Sequence, residues 1–293
     1  MDFEALGRLR AEFDMLVRDV RPQLLRYCAR MTGSAVDGED LVQDALAKVY
    51  YQLPQLGHVT NLRAWLFRVA HNKALDYLRR YDVRFGEPLD GELPVPLDHM
   101  PLAAAEVAEW GLAHFTQLTA LQRSCVILKD VLDCTLEEIS EVLDTSVPAI
   151  KGALHRGRAS LRRVAAAGAA PAPPADAAQV ERLNHYVALF NARDFDGLRA
   201  LLAEDVRLDL VNRAQRSGAT EVGGYFDNYA RVPSISFAVG TVDGRPAILA
   251  SERGGATPDY CLFVRFRGAQ VQSIRDYRYA RHVMAETIWM RTG

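Results

Sequence analysis

From Lys151 to Arg163 the chain carries Lys151, His155, Arg156, Arg158, Arg162 and Arg163 and no acidic residue. On a helix Lys151, His155, Arg158 and Arg162 share one side, opposite Ile150, Leu154 and Leu161. Such a helix suits a DNA major groove, with its N-terminal side chains at base edges and its arginines on phosphates. The base-reading set is then Ser146, Ala149, Lys151, Gly152 and His155, and Arg156, Arg158 and Arg162 serve the backbone. A basic amphipathic helix alone is as often a plain solvated face. What precedes it tips the balance. Thr135-Leu136-Glu137-Glu138 has the form of a capping box, and Leu136, Ile139 and Leu143 make a short apolar stripe. That helix ends near Asp144-Thr145, and Ser146 caps the next, with Pro148 in its first turn. Two helices joined by a short turn, the second basic, predict a DNA-binding helix-turn-helix.

A second polar face lies upstream. A helix is predicted from Leu62 to Arg80, with Leu62, Trp65, Leu66, Val69, Ala74 and Tyr77 on one side. Arg68, Asn72, Asp76 and Arg79 share a narrow sector, Arg80 and Arg84 follow, and Lys73 adds charge. Arginine and asparagine suit phosphates and base edges, and Asp76 can orient a neighbouring guanidinium. The preceding loop, His58-Val59-Thr60-Asn61, is small and polar enough to hold an extruded base. By itself this face would be ordinary solvated surface. Before it, Asp37 is expected to cap a helix whose apolar residues are Leu41, Val42, Ala45, Leu46, Val49 and Leu53.

The whole chain has 293 residues, a formal net charge of −2, 49% hydrophobic and 25% charged residues. That composition excludes wholesale disorder and a collagen-like fibre, and the length favours more than one domain. Near-neutral charge averages over domains and hides local fields. No stretch approaches the ~18 apolar residues of a transmembrane helix, and Asp2 and Glu4 open a segment unlike a secretory leader. Cys28, Cys125, Cys134 and Cys261 show no metal spacing and are expected as buried, reduced thiols in a cytoplasmic protein. No metal, cofactor or catalytic residue is expected, and no membrane contact.

Two breaks divide the chain. Pro88, Pro94, Pro96 and Pro101 interrupt residues 85–101, and an Ala/Pro tract with Pro171, Pro173 and Pro174 fills residues 164–178. The expected domains are 1–84, 102–163 and 179–293, with linkers at 85–101 and 164–178. The last block changes period. After a helix with Val180, Leu183, Val187 and Phe190 come strand-like stretches at Asp205–Val211, Ser234–Val242, Ala247–Ser251, Tyr260–Phe266 and Val271–Tyr277. Asp243-Gly244 marks a tight turn between two of them.

Asp40-Leu41-Val42-Gln43-Asp44, then Trp65 to Asn72, then Asp76-Tyr77-Leu78-Arg79-Arg80, resemble region two of the bacterial extracytoplasmic-function RNA polymerase sigma factors. The segment from Leu118-Thr119-Ala120-Leu121 through the helix-turn-helix resembles region four of the same family. The resemblance covers roughly residues 10–165. It implies a helical bundle and a helix-turn-helix, both all-α, and a function: binding core RNA polymerase and directing promoter-specific transcription initiation. It implies that Asp40, Gln43, Asp44 and Lys48 dock on the polymerase clamp. His58, Asn61, Arg68, Asn72, Asp76, Arg79 and Arg80 would melt and read the −10 element of promoter DNA. Ser146, Ala149, Lys151, His155, Arg156, Arg158 and Arg162 would bind the −35 element, and the polymerase alone would make bonds.

Residues 179–293 are expected to form an α+β cone. They resemble the SnoaL-like branch of the NTF2-like superfamily, entered by Ala203-Glu204-Asp205-Val206. Enzymes on that fold use a carboxylate in an apolar cavity, for which Asp209, Asp227 and Asp259 are candidates, with Tyr225, Tyr229 or Tyr260 as donors. A regulatory surface is the expected use, with a small ligand or an anti-sigma protein as partner. One group of sigma factors with this extension carries Trp-Leu-Pro in the linker and Asp-Gly-Gly-Gly in the added domain. Here those stretches read Phe85-Gly86-Glu87-Pro88-Leu89 and Asn212 to Gly218, which implies a different branch. The competing readings are a ligand-sensing helix-turn-helix regulator that does not replace the sigma subunit, and a cyclase or isomerase tethered to DNA-binding modules. Both leave the upstream polar face idle.

Overall fold

The computed structural model describes residues 3–53, 61–85, 111–167, 176–252 and 254–292. Its internal contacts divide the chain into two compact units, Met1–Ala170 and Pro171–Gly293. His58, Val59 and Thr60, nearly all of the Pro-rich segment and residues 168–175 lie outside the described residues.

The first unit is helical. Helices α1 (Phe3–Thr32), α2 (Ala35–Gln52) and α3 (Leu62–Phe85) pack together around Val20, Leu24, Tyr27, Val42, Val49, Leu66, Phe67 and Ala70. Those of each helix share one side of it, so burying one stripe per helix closes the bundle. The cap of α2 differs from the expectation. Ser34 Oγ accepts the Asp37 amide at 3.3 Å, so Asp37 falls in the first turn, where it accepts the Tyr77 hydroxyl at 3.0 Å. A serine three residues earlier satisfies the free amides first.

Helices α4 (Leu112–Phe115) and α5 (Ala120–Val126) follow, and α5 runs on as a π-helical turn, Ile127–Val131. Then come α6 (Leu136–Leu143) and α7 (Val147–Ala167). The capping box forms: the Thr135 amide reaches Glu138 Oε2 at 2.8 Å and the Glu138 amide reaches Thr135 Oγ1 at 3.2 Å. Asp144 takes a left-handed backbone, φ 51°, and ends α6. Ser146 accepts the Ala149 amide at 3.4 Å and opens α7. Ile150 and Leu161 of α7 are wholly buried and Leu154 nearly so. Gly157 sets its approach to α5: an added Cβ would stand 2.8 Å from Val126 Cγ2 and 3.3 Å from Gln122 Cβ. α7 continues to Ala167, past the expected linker start at Val164, because its alanine run favours helix.

The second unit opens with α8 (Ala177–Asn191) and α9 (Phe195–Ala200), followed by β1 (Leu202–Leu210) and β2 (Ala214–Ser217). Short helices α10 (Ala219–Gly223) and α11 (Tyr225–Ala230) precede β3 (Ser236–Val242), β4 (Arg245–Ser251), β5 (Tyr260–Arg267), β6 (Gln270–Asp276) and β7 (Trp289–Arg291). They form one sheet in the order β2-β1-β6-β5-β4-β3-β7, antiparallel except where β1 meets β6. Asp243 and Gly244, at φ 50° and 74°, make the tight turn between β3 and β4. One face of the sheet buries Val206, Phe237, Ile248, Leu262 and Ile274 against Leu183, Tyr186 and Phe190 of α8 and Phe226 of α11. The edge strands β2 and β7 went unread in the sequence, since so few residues show no alternation.

Candidate nucleic-acid interface

On α3 the buried side is Leu66, Phe67, Val69, Ala70 and Ala74, and the opposite side exposes Asn72, Asp76, Arg79 and Arg80. Arg79 Nη1 lies 3.5 Å from Asp76 Oδ1, so the acid orients the guanidinium as its spacing suggested. Asn61 caps the helix: its Oδ1 accepts the Ala64 amide at 3.0 Å, which turns its Nδ2 outward as a donor. Arg68 is half-buried beside it. Neither is idle: Asn61 Nδ2 donates to Glu141 Oε2 at 2.9 Å, and Arg68 Nη2 donates to the Glu141 carbonyl.

On α2 Asp44 and Lys48 are exposed and Asp40 and Gln43 half-buried. Gln43 donates to Glu39 at 3.4 Å, and Asp44 holds Lys73 at 3.2 Å. Glu39 itself is wholly buried and paired with Arg21. Tyr51 is 78% exposed and falls within about 20° of Asp44 around the helix. Sequence reasoning passed over it, although its seven-residue spacing from Asp44 was the signal.

On α7 Ser146, Ala149, Lys151 and Arg156 are exposed, and His155 and Arg162 half-buried. Arg158 departs from its expected role. It grips Asp130 through two bonds, Nε to Oδ2 at 3.0 Å and Nη2 to Oδ1 at 2.6 Å, with the pair only 14% and 5% exposed. Fork-on-fork pairing with a buried acid spends this guanidinium on holding α7 to the turn before α6. It is withdrawn from the phosphate set.

The two helical modules also touch in their interior. Tyr27 Oη lies 2.8 Å from His71 Nδ1 and 3.1 Å from Ser124 Oγ, all three buried. Burial without a charged partner lowers the His71 pKa to about 4, so the ring is neutral. Buried Arg123 donates to the carbonyls of Met31, Thr116 and Leu118, the first in the last turn of α1. All four cysteines are free and buried, and burial pushes the Cys125 thiol up to about 12.

In the second unit the acids expected as a buried base are elsewhere engaged. Asp209 pairs with Arg275 at 3.1 Å, Asp227 with Arg199 at 2.6 Å, and Asp259 accepts the Glu252 amide at 2.8 Å. Asp227 and Asp259 are exposed. The buried carboxylate is Asp276, missed in the sequence although it ends β6 at a position whose alternation calls for an inward apolar residue. Its Oδ2 accepts Tyr225 at 2.8 Å and Tyr229 at 2.7 Å, and its Oδ1 the Arg278 amide at 2.8 Å. Burial raises its pKa, against the lowering pull of those bonds. Tyr260 Oη joins at 3.1 Å from Tyr229. Tyr225 and Tyr229 are donors as expected, to a different acid, while Tyr260 meets the Tyr229 hydroxyl instead. Among the described residues no acid, His or Cys cluster could hold a metal ion, and no helix is long and apolar enough to cross a membrane.

Three family models match the chain: Sigma-70 region 2 over residues 16–84, Sigma-70, region 4 over residues 115–161, and a SnoaL-like domain over residues 183–282. The chain is 30% identical over 230 residues to the ECF RNA polymerase sigma factor SigG of Mycobacterium tuberculosis, covering 69% of this chain and 62% of that protein. To SigJ of the same organism it is 31% identical over 207 residues, covering 67% and 62%. The matched part is thus less than two thirds of either relative's own length. A crystal structure of that SigJ aligns at 22% identity and a TM-score of 0.35, covering 88% of this chain and 93% of the other. With both sigma regions and the SnoaL-like domain matched in this order, the chain belongs to the extracytoplasmic-function sigma factors, in a form carrying a C-terminal SnoaL-like domain.

Proposed function

We propose that this chain binds core RNA polymerase and directs promoter-specific transcription initiation, with its activity modulated by the C-terminal domain. The observation that supports this most is the pair of cationic faces, one on α3 and one on α7, on modules matched to sigma regions 2 and 4. In this reading Asp40, Gln43, Asp44 and Lys48, joined by Tyr51, dock on the polymerase. His58, Asn61, Arg68, Asn72, Asp76, Arg79 and Arg80 melt and read the −10 element. Ser146, Ala149, Lys151, His155, Arg156 and Arg162 bind the −35 element. The working domains are 1–84, 102–163 and 179–293. The protein acts in the cytoplasm and makes no bonds itself.

The physics suits the assignment. Unstacking a base step costs a few kcal/mol, repaid by a polar pocket and a cationic track for the separated strand. Two weak modules on one chain gain from each other once the polymerase holds them at promoter spacing.

Run-off transcription with purified core polymerase tests this. Promoter-dependent transcripts are expected from core plus this chain alone. A regulator that does not replace the sigma subunit would need a second sigma factor in the reaction, and that outcome would reject the proposal. Reversing charge at both Asp44 and Lys48 is expected to weaken core binding; co-purification at wild-type affinity would remove α2 from the docking surface.

A further inference from the structure

We infer that the C-terminal end of α6 is a nucleic-acid mimic built into the chain, occupying the start of the −10-reading face until DNA displaces it. This rests on the −10 assignment proposed above for Asn61 and Arg68.

The chemistry lies in what Glu141 presents. Its carboxylate accepts the Asn61 amide at 2.9 Å, and its carbonyl accepts Arg68. That carbonyl belongs to the last turn of α6, where backbone acceptors lose their helical partners and the helix dipole is negative. The Thr145 amide, which an unbroken helix would send to Glu141, goes to Ser140 at 3.4 Å instead. A carboxylate and an unspent carbonyl, side by side, face one amide donor and one guanidinium. A phosphate oxygen and a base-edge acceptor would offer those two donors the same thing.

The contact is held in place from behind. Tyr27, His71 and Ser124 meet in the interior between the modules, and Arg123 ties α5 to the end of α1. Glu141 is therefore delivered to α3 by packing rather than by a chance meeting of exposed side chains. Asn61 has spent its oxygen on the helix cap, so its Nδ2 serves Glu141 or DNA. Asn72, Asp76, Arg79 and Arg80 stay exposed. Single-stranded DNA can land on that half of the stripe but completes its contacts only by expelling Glu141.

The test uses the full chain and a labelled single-stranded oligonucleotide of mixed sequence, about twelve nucleotides long, at low salt. Glu141→Ala removes the carboxylate that holds Asn61 and keeps the carbonyl that holds Arg68, so it is expected to tighten binding about three- to tenfold, the range of one net hydrogen bond. Glu137→Ala removes the same charge from the exposed first turn of α6 and is expected to change affinity by less than about twofold. Adding Asn61→Ala and Arg68→Ala to Glu141→Ala should abolish the gain. Wild-type affinity in Glu141→Ala, an equal gain in Glu137→Ala, or a gain that survives loss of Asn61 and Arg68 would each overturn the inference. The assignment beneath it is read separately, from permanganate reactivity of promoter DNA with holoenzyme carrying Asn61→Ala and Arg68→Ala. Lost opening supports the −10 assignment, and unchanged opening rejects it whatever the oligonucleotide does.

Discussion

Arg158 and Arg162 sit one helical turn apart on the same helix, yet their surroundings divide their work. Arg158 neutralises Asp130 in a nearly dry contact, so Arg158→Ala leaves a buried acid unpaired at a cost of about 3 kcal/mol. A lower melting temperature for the helical unit is expected. Arg162→Ala is expected to weaken DNA binding evenly across sequences and to flatten its salt dependence. A pure loss of DNA affinity from Arg158→Ala, with melting intact, would return it to the phosphate set. His71 carries a pH consequence. Its folded pKa, about 4, lies below the ordinary 6.5, so the stability it contributes is full above pH 6.5 and lost as pH falls towards 4. Between pH 7 and 5 the helical unit is expected to lose about 2 kcal/mol from this group alone. Urea titrations of wild type and His71→Gln at both pH values check it, and equal losses in the two would refute the attribution.

At the scale of elements, α7 depends on Gly157. A methyl there presses on Val126, a buried side chain whose β-branching restricts its rotamers. Gly157→Ala gains up to about 1 kcal/mol of helix propensity but meets overpacking of about 1–3 kcal/mol. A net fall in stability is expected, together with weaker −35 binding as α7 lifts from α5. Higher stability with unchanged DNA affinity would mean that the two helices part without penalty. The capped helices were legible in the sequence because caps and apolar stripes are local: Thr135, Glu138, Ser146, Ile150 and Leu161 all stand where their spacing put them. β2 and β7 were not legible, because each exists only through the strand beside it.

For the whole molecule, the Ala/Pro tract joins two units with separate cores. At so short a tether the effective concentration of one unit near the other is about millimolar, so even a weak contact is well occupied. A chain ending at Ala175 keeps every helix from α1 to α7 and is expected to fold, bind core polymerase and transcribe more actively than full length. Lower activity would make the C-terminal domain a support rather than a brake. Identical transcription at several promoters, with equal core affinity, would end its proposed control role.

The sequence by itself determined the helical modules, the basic face of α7, the α+β class of the last block and the family, since each is written in spacings of a few residues. It also pointed to Tyr225, Tyr229 and Tyr260 as donors. Only the tertiary structure decided that Tyr225 and Tyr229 donate to Asp276, because burial rather than acidity singles it out from Asp209, Asp227 and Asp259. It likewise decided that Arg158 belongs to Asp130, 28 positions away, and that Asn61 and Arg68 meet Glu141, 80 and 73 positions away. Periodicity places a side chain on a face. Which charge that face then meets depends on chain closure over distances that no local pattern encodes.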